Sequence, residues 1–308
     1  RGLVGSEMCI RDRNRTVKKK FIWIVLFVAL VLLFAFLFLW PIQGSLYLNM
    51  NEDDGLNSSV YDLSTNRSKK VVIDDYNEVI DYYPLTGGYA AIGVNYVPAQ
   101  NAVVDGLKSK YALVIHEGKR DFSYPLASSA GIMCVYEDTV YFTIYGEDDI
   151  ASCYYKCNLS DFSIEKLPDS ISDICSDGNT LVYVETLRDH DQVIVKQEGK
   201  ENVAFSTDKV LCVDLLQSDL VISYKNGLDE KCISYNLSTG KSTTCGKRND
   251  KLEYAATLHG RDWYIYRYEF LHNDFGTPRL DIIVMRSGLR VKFLFLSPTK
   301  LGSVYLLR

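Results

Sequence analysis

The stretch GIMCVYEDTVYFTIYGEDDIASCYYKCNLSDFSIEKL, at residues 131–167, decides the fold. It contains four runs rich in β-branched and aromatic residues, at 131–136, 140–145, 153–159 and 163–167. An aspartate lies in each of the three gaps between these runs, and tight turns favour this residue. Short apolar runs separated by turns in this way predict four antiparallel strands in one sheet.

The same layout recurs along the chain, for example at 209–213, 219–224, 231–237 and 241–245. Six β-rich segments carry the marker residues Tyr47, Tyr89, Tyr141, Tyr183, Ile222 and Tyr264. The spacings between markers are 42, 52, 42, 39 and 42 residues, about the length of a four-stranded propeller blade. One blade cannot bury both of its faces, so such units pack into a ring. The sequence therefore predicts an all-β fold, a β-propeller of four-stranded blades with six visible.

The end of the chain leaves two interpretations of ring closure open. GSVYL at 302–306 resembles GSLYL at 44–48, so the last residues either begin a truncated seventh blade or complete the first blade. The first unit lacks an innermost strand of its own, which the second interpretation would supply. A pair of β-sandwiches is the alternative fold, because it also has short strands and frequent turns.

A turn motif recurs between the third and fourth strands of alternate units. Asp62, Asn158 and Asn236 are each followed by Leu-Ser. Asp and Asn side chains start turns by bonding to the backbone ahead of them. The motif therefore predicts side-chain-capped turns, and it explains the Asn-Leu-Ser sequences at 158 and 236 without glycosylation.

Twenty uncharged residues, 21–40, follow Lys18, Lys19 and Lys20. As a helix they would span about 30 Å, the thickness of the hydrocarbon core of a bilayer. The basic residues before them indicate a cytoplasmic N-terminus. The sequence thus predicts a cytoplasmic basic segment at 14–20, a transmembrane helix at 21–40 and an extracytoplasmic propeller at 41–308. A cleaved signal peptide is the alternative, but its apolar region would be only about 7–15 residues long.

The first thirteen residues are set apart from the fold. MCIRDR at residues 8–13 has the sequence that a translated sequencing adapter would have. Residues 1–13 are therefore interpreted as an adapter artefact and left out of the fold prediction.

The charge balance argues against nucleic acid as a partner. The first forty residues hold seven of the 34 basic and two of the 39 acidic residues, which leaves 27 and 37 for residues 41–308. Phosphate binding requires a basic surface, and this part of the chain is acidic.

Acidic residues concentrate in the loops that join the second strand of a blade to the third, all of which emerge on one face of a propeller. Clustered carboxylates attract a basic partner or supply oxygen ligands to a cation such as calcium, and no other cofactor is predicted. Exposed turns also favour these residues for structural reasons alone. The candidates are Asp53, Asp54, Glu147, Asp148, Asp149, Asp189, His190, Asp191, Asp229, Glu230 and Asp274.

Seven cysteines follow residue 41, an odd number that cannot all pair. Cys232 and Cys245 would lie opposite each other in a hairpin that turns at Ser238 and Thr239. They are the candidate disulfide.

Residues 41–308 resemble the membrane-anchored propeller proteins of bacteria, a broad group that includes TolB-like and peptidase-associated propellers. The resemblance rests on architecture and blade length. It implies a binding or assembly module for a protein, peptide or glycan. The alternative is a propeller hydrolase, or the propeller portion of an anchored peptidase, although no Gly-x-Ser-x-Gly motif and no catalytic residue is found. A third hypothesis is a structural membrane partner that acts through residues 21–40.

Overall fold

The computed structural model describes a six-bladed β-propeller. The described residues are 23–33, 42–52, 55–65, 67–98, 107–146, 153–216, 219–245, 252–258, 261–270, 280–288, 290–296 and 300–307. In these ranges the strands are β1 (Ser45–Glu52), β2 (Gly55–Asp62), β3 (Arg67–Lys70), β4 (Glu78–Leu85), β5 (Gly88–Pro98), β6 (Leu107–Glu117), β7 (Arg120–Leu126), β8 (Ala130–Tyr136), β9 (Thr139–Ile144), β10 (Cys153–Asn158), β11 (Ile164–Lys166), β12 (Ile171–Ser176), β13 (Thr180–Thr186), β14 (Asp191–Gln197), β15 (Lys200–Thr207), β16 (Lys209–Leu215), β17 (Asp219–Asn226), β18 (Asp229–Asn236), β19 (Ser242–Thr244), β20 (Leu252–Leu258), β21 (Arg261–Phe270), β22 (Leu280–Ser287), β23 (Arg290–Leu296) and β24 (Lys300–Leu307).

Each blade is a four-stranded antiparallel sheet. Blades 2 to 6 are β4–β7, β8–β11, β12–β15, β16–β19 and β20–β23, and each is built from consecutive strands. The strands predicted for the third and fifth units are confirmed to within two residues. The first strands of successive blades contact one another from β4 through β8, β12, β16 and β20 to β24, and β1 and β2 of blade 1 contact β4 of blade 2. This ring of contacts excludes the pair of β-sandwiches.

The ring closes through a sheet that both parts of the chain share. Blade 1 has the strand order β24-β1-β2-β3, and β24 pairs antiparallel with β1, so that Tyr47 lies opposite Tyr305. The residues around 302–306 therefore complete the first blade. The seventh-blade interpretation is wrong, because β24 pairs with an edge of β1 that would otherwise have no partner strand.

Apolar clusters between neighbouring blades form the core. Ile92 and Leu113 of blade 2 share a buried cluster with Val140 and Phe142 of blade 3. Equivalent clusters join blade 3 to blade 4, blade 4 to blade 5, and blade 6 to blade 1. Among the described residues, four of the six junctions between blades are thus filled by apolar side chains, which removes the facing sides of those sheets from water as the repeat pattern predicted.

The turn motif also forms as predicted. The Asp62 carboxylate accepts a hydrogen bond from the Ser64 amide at 2.7 Å, and the Asn158 side chain accepts one from the Ser160 amide at 2.8 Å. In the third copy Asn236 accepts from the Thr239 amide at 2.9 Å. The leucine after Asp62 and that after Asn158 are buried, so the motif caps a turn and fills the core at once.

One regular feature was not predicted. In blades 2 to 6 the first strand carries a β-bulge against the second, between Val79 and Asp81 in blade 2 and between Ser172 and Ile174 in blade 4. The pairing of β24 with β1 is irregular at the equivalent place. A bulge increases the twist of a strand. It therefore bends each innermost strand where six sheets converge.

The predicted transmembrane helix at 21–40 finds no support in the described part of the chain. There the helix covers residues 23–33, whose side chains are exposed, and the remainder of 21–40 lies outside the described residues. Eleven helical residues extend roughly 16 Å, about half of a hydrocarbon core. Among the residues described, no helix is both long enough and apolar enough to cross a membrane.

Candidate functional site

Six connections gather on one face of the ring. They follow β1, β5, β9, β13, β17 and β21, and each joins the second strand of a blade to the third. Because every blade has the same strand order and antiparallel pairing, these connections all emerge on the same side, as predicted. We call this side the loop face.

The structure describes five of the eleven candidate residues. Asp189, His190 and Asp191 belong to the connection after β13, and Asp229 and Glu230 follow β17. The other candidates lie outside the described residues: Asp53, Asp54, Glu147, Asp148, Asp149 and Asp274.

Asp191 is not an exposed rim carboxylate. It is 1% exposed and accepts a hydrogen bond from the Val210 amide at 2.9 Å, and the Lys209 ammonium lies 3.1 Å from the same oxygen. Burial alone would raise the pKa of Asp191, but the hydrogen bonds from Val210, Thr186 and Lys209 outweigh it and lower the pKa. Asp191 therefore clamps blade 4 to the first strand of blade 5.

His190 is held by its two neighbours in the loop. Its Nδ1–H donates to Asp189 Oδ1 at 2.8 Å, and its Nε2 accepts from the side-chain Nε2–H of Gln192 at 3.1 Å. Both ring nitrogens are thus engaged in hydrogen bonds. Among the residues that the structure describes, no group of three or more His, Cys, Asp or Glu side chains could hold a metal ion.

Blade 5 presents an exposed tip to solvent. Gly227 and Leu228 form the two-residue turn between β17 and β18, and Gly227 has a φ of 62°, in the left-handed region that favours glycine. The Leu228 side chain is fully exposed, and Asp229 and Glu230 beside it are exposed as well. An apolar group thus stands directly next to two acidic residues.

Exposed apolar side chains occur on the loop face of four consecutive blades. They are Tyr96 in blade 2, Tyr145 in blade 3, Leu187 in blade 4 and Leu228 in blade 5. The Tyr96 hydroxyl donates to Glu78 at 2.6 Å, and burial together with this carboxylate raises its pKa to about 12. Only acidic residues and His190 were predicted for this face from the sequence. Large apolar side chains at the ends of second strands were the available signal for this feature.

Two further carboxylates join the first strands of neighbouring blades. Asp81 in blade 2 accepts hydrogen bonds from the Ile132 amide of blade 3 at 2.7 Å and from the Tyr82 amide at 2.8 Å. Asp173 in blade 4 accepts from the Val213 amide of blade 5 at 2.9 Å. Burial raises the pKa of Asp81 to about 7, although both amide hydrogen bonds act to lower it. Both residues stand at bulges, so the unpredicted bulges aim carboxylates across blade junctions.

Comparison with known structures supports the propeller fold. TolB from Acinetobacter baumannii has a TM-score of 0.53 and 11% sequence identity, over 86% of this chain and 66% of TolB. Acylaminoacyl peptidase from Pyrococcus horikoshii has a TM-score of 0.47 and 15% identity, over 80% of this chain and 42% of the peptidase. The chain therefore spans less than two thirds of either protein. At these identities the similarity concerns the fold alone.

A third similar structure is an uncharacterized protein from Listeria monocytogenes, with a TM-score of 0.42 and 10% identity over 86% of this chain and 83% of that one. No family model matches the sequence, and no curated protein matches it either.

Replacing Asp191 should destabilise the propeller. In Asp191→Ala the buried Val210 amide loses its acceptor and Lys209 loses its counter-charge, so we expect the free energy of unfolding to fall by about 2 kcal/mol. Asp189→Ala is the matched control, because the side chain of Asp189 is 84% exposed. Chemical denaturation at pH 7 measures both, and equal effects of the two substitutions would contradict the clamp.

The titration of Asp81 should make stability depend on pH. Its folded pKa of about 7 lies above the value of about 3.9 for an unfolded chain. The folded state therefore binds the proton more tightly, and the contribution of Asp81 to stability is complete below about pH 4 and is lost as the pH rises through 7. Asp81→Asn cannot titrate. We expect its stability relative to the unmodified protein to increase from pH 5 to pH 8, whereas Asp229→Asn, at an exposed position, should show no such increase.

Proposed function

We propose that this protein is a non-enzymatic binding module whose loop face captures a protein segment rich in basic and apolar side chains. The observation that carries the proposal is the series of exposed apolar side chains on four consecutive blades. Isolated exposed apolar residues are ordinary, but several on one face indicate an interaction surface.

Charge determines the kind of partner. Asp189, Asp229 and Glu230 are exposed on the loop face beside Leu187 and Leu228. Carboxylates next to apolar groups favour a partner that offers lysine or arginine together with leucine or aromatic side chains. They disfavour nucleic acid, whose phosphates would be repelled. A glycan would match the exposed tyrosines, but it offers no cationic group to these carboxylates.

The two histidines that the structure describes, His116 and His190, are both paired with aspartates. His116 Nδ1 lies 2.6 Å from Asp121 Oδ1, and His190 Nδ1 lies 2.8 Å from Asp189 Oδ1. In the described part of the chain, neither ring is hydrogen-bonded to a serine or cysteine side chain that a base would activate. The propeller hydrolase, or the propeller portion of a peptidase, therefore stands as the second candidate.

We also propose that residues 21–40 anchor the protein, with the propeller on the extracytoplasmic side. The support is the uncharged run of twenty residues behind Lys18, Lys19 and Lys20. The positive-inside rule then assigns residues 14–20 to the cytoplasm and residues 41–308 to the other side.

Binding can be tested with immobilised synthetic peptides and the full chain in detergent. We expect beads carrying a Lys/Leu peptide to retain the protein, and beads carrying Glu/Leu or Lys/Ser peptides to retain little. Added salt should weaken retention, because the charges are exposed. The triple variant Leu228→Ser, Asp229→Asn, Glu230→Gln should lower retention about tenfold, a loss of about 1.4 kcal/mol.

The control for this experiment neutralises two charges on the opposite side of the ring. Glu137 and Glu198 lie in the turns after β8 and β14, which emerge away from the loop face. The variant Glu137→Gln, Glu198→Gln should bind as the unmodified protein does. Equal retention of all three peptides, or equal loss in both variants, would exclude the loop face as the binding surface.

The anchor can be tested in cells that express the full chain with an epitope after Arg308. We expect the protein to stay with membranes during an alkaline carbonate wash, and a protease outside the cytoplasmic membrane to remove the epitope. A variant without residues 21–40 is the control and should be released. An epitope that becomes accessible only after cytoplasmic lysis would overturn the proposed orientation.

A further inference from the structure

Two cysteines face each other at the outer edge of blade 5. In the hairpin of β18 and β19, Ile233 lies opposite Thr244 and Ser234 lies opposite Thr243. The next step of the same register brings Cys245 opposite Cys232, and the Cys245 amide donates to the Cys232 carbonyl at 3.1 Å. The turn at Asn236 and Gly240 fixes this register, since the Gly240 amide donates to the Asn236 carbonyl at 2.9 Å.

The two sulfur atoms lie 2.8 Å apart, and both residues are free thiols in this structure. Cys232 is buried and Cys245 is exposed. Burial and the hydrogen bond with Cys232 raise the pKa of the Cys245 thiol to about 12, so only a small fraction of it is thiolate near neutral pH and its reaction with a disulfide should be slow. The opposed backbone positions, however, are those that a cross-strand disulfide requires.

A bond at this place would secure a weak strand. β19 has only three residues, all exposed, and it pairs with β18 alone because it is the outermost strand of its blade. The other cysteine, Cys232, lies on β18 two residues after Glu230. β18 begins at the loop face. A bond would therefore tie β19 to the strand that carries Asp229 and Glu230.

We propose that Cys232 and Cys245 are a dithiol pair that closes to a disulfide and locks β19 onto β18. The oxidant is a small-molecule or protein disulfide. Cys245, the exposed member, attacks it and forms a mixed disulfide with release of one thiol. Cys232 then attacks the Cys245 sulfur and releases the second thiol. The protein loses two electrons and two protons, and the oxidant gains them as two thiols.

The pair differs from the other closely spaced cysteines of the chain. Cys153 and Cys157 are four residues apart on the same strand, so about 13 Å of strand separates their backbones. No disulfide can bridge that distance. Among the described cysteines Cys245 is the exposed one, so an oxidant in solution should reach the pair in blade 5 first.

Intact and peptide mass spectrometry of the full chain tests the bond. We expect incubation with oxidised glutathione, followed by alkylation, to remove two hydrogen atoms and leave Cys232 and Cys245 unalkylated in one cross-linked peptide pair. Reduction should restore both alkylation sites, and Cys245→Ser should show no loss of hydrogen. Alkylation of both cysteines after oxidation, a lasting glutathione adduct on Cys245, or a bond to any other cysteine would overturn the proposal.

Thermal unfolding tests the lock itself. The closed form should unfold about 5 °C above the reduced form, because the cross-link restricts the unfolded chain. Proteolysis within residues 237–245 should also slow. Cys245→Ser should show the same melting temperature with and without oxidised glutathione. A disulfide that forms without raising the melting temperature or slowing proteolysis would refute the lock. Since these measurements use no ligand, their failure would leave the proposed binding function standing.

Discussion

The whole structure depends on covering every sheet on both faces and on pairing the free edge of β1. β24 supplies that pairing, which places strands from the two ends of the propeller in one sheet. Apolar side chains pack at the junction between blades 6 and 1, where Leu46 and Leu63 of blade 1 share a buried cluster with Trp263 of blade 6. The Lys292 ammonium of blade 6 donates to the Leu63 carbonyl in a buried setting, where desolvation lowers its pKa. Ring closure therefore combines a strand ladder, an apolar cluster and a buried polar contact.

Carboxylates at the junctions between blades have a different role from those on the surface. Asp81, Asp173 and Asp191 each accept a backbone amide of the next blade, so they hold neighbouring sheets in register. The same residue type on the loop face, at Asp189 and Asp229, is exposed. Net acidity alone thus says little about binding. The carboxylates that hold the ring together accept hydrogen bonds from backbone amides at the junctions between blades. The carboxylates that can contact a partner are exposed to solvent.

A rigid ring with variable loops suits a protein that recognises others. The blades fix where each loop emerges, and the loops can then differ in sequence without cost to the core. Blade 5 concentrates three features within a short distance along the chain: the exposed Leu228, the acidic residues beside it and the cysteine pair. If β19 is locked to β18, the strand that leads from this part of the loop face is held at both edges. Recognition and the proposed redox chemistry would then share one sheet.

Sequence alone determined the features that arise from neighbouring residues. The repeat near forty residues, the strands of blades 3 and 5 and the turns at Asp62, Asn158 and Asn236 follow from local patterning, because side chain and backbone partner lie within a few positions. The pairing of β24 with β1, the bulges and the burial of Asp191 were decided only by the tertiary structure. Each of these features depends on a partner in another strand or blade. The sequence does not distinguish a buried aspartate from an exposed one, because the partner that buries Asp191, Val210, lies on a strand of the next blade.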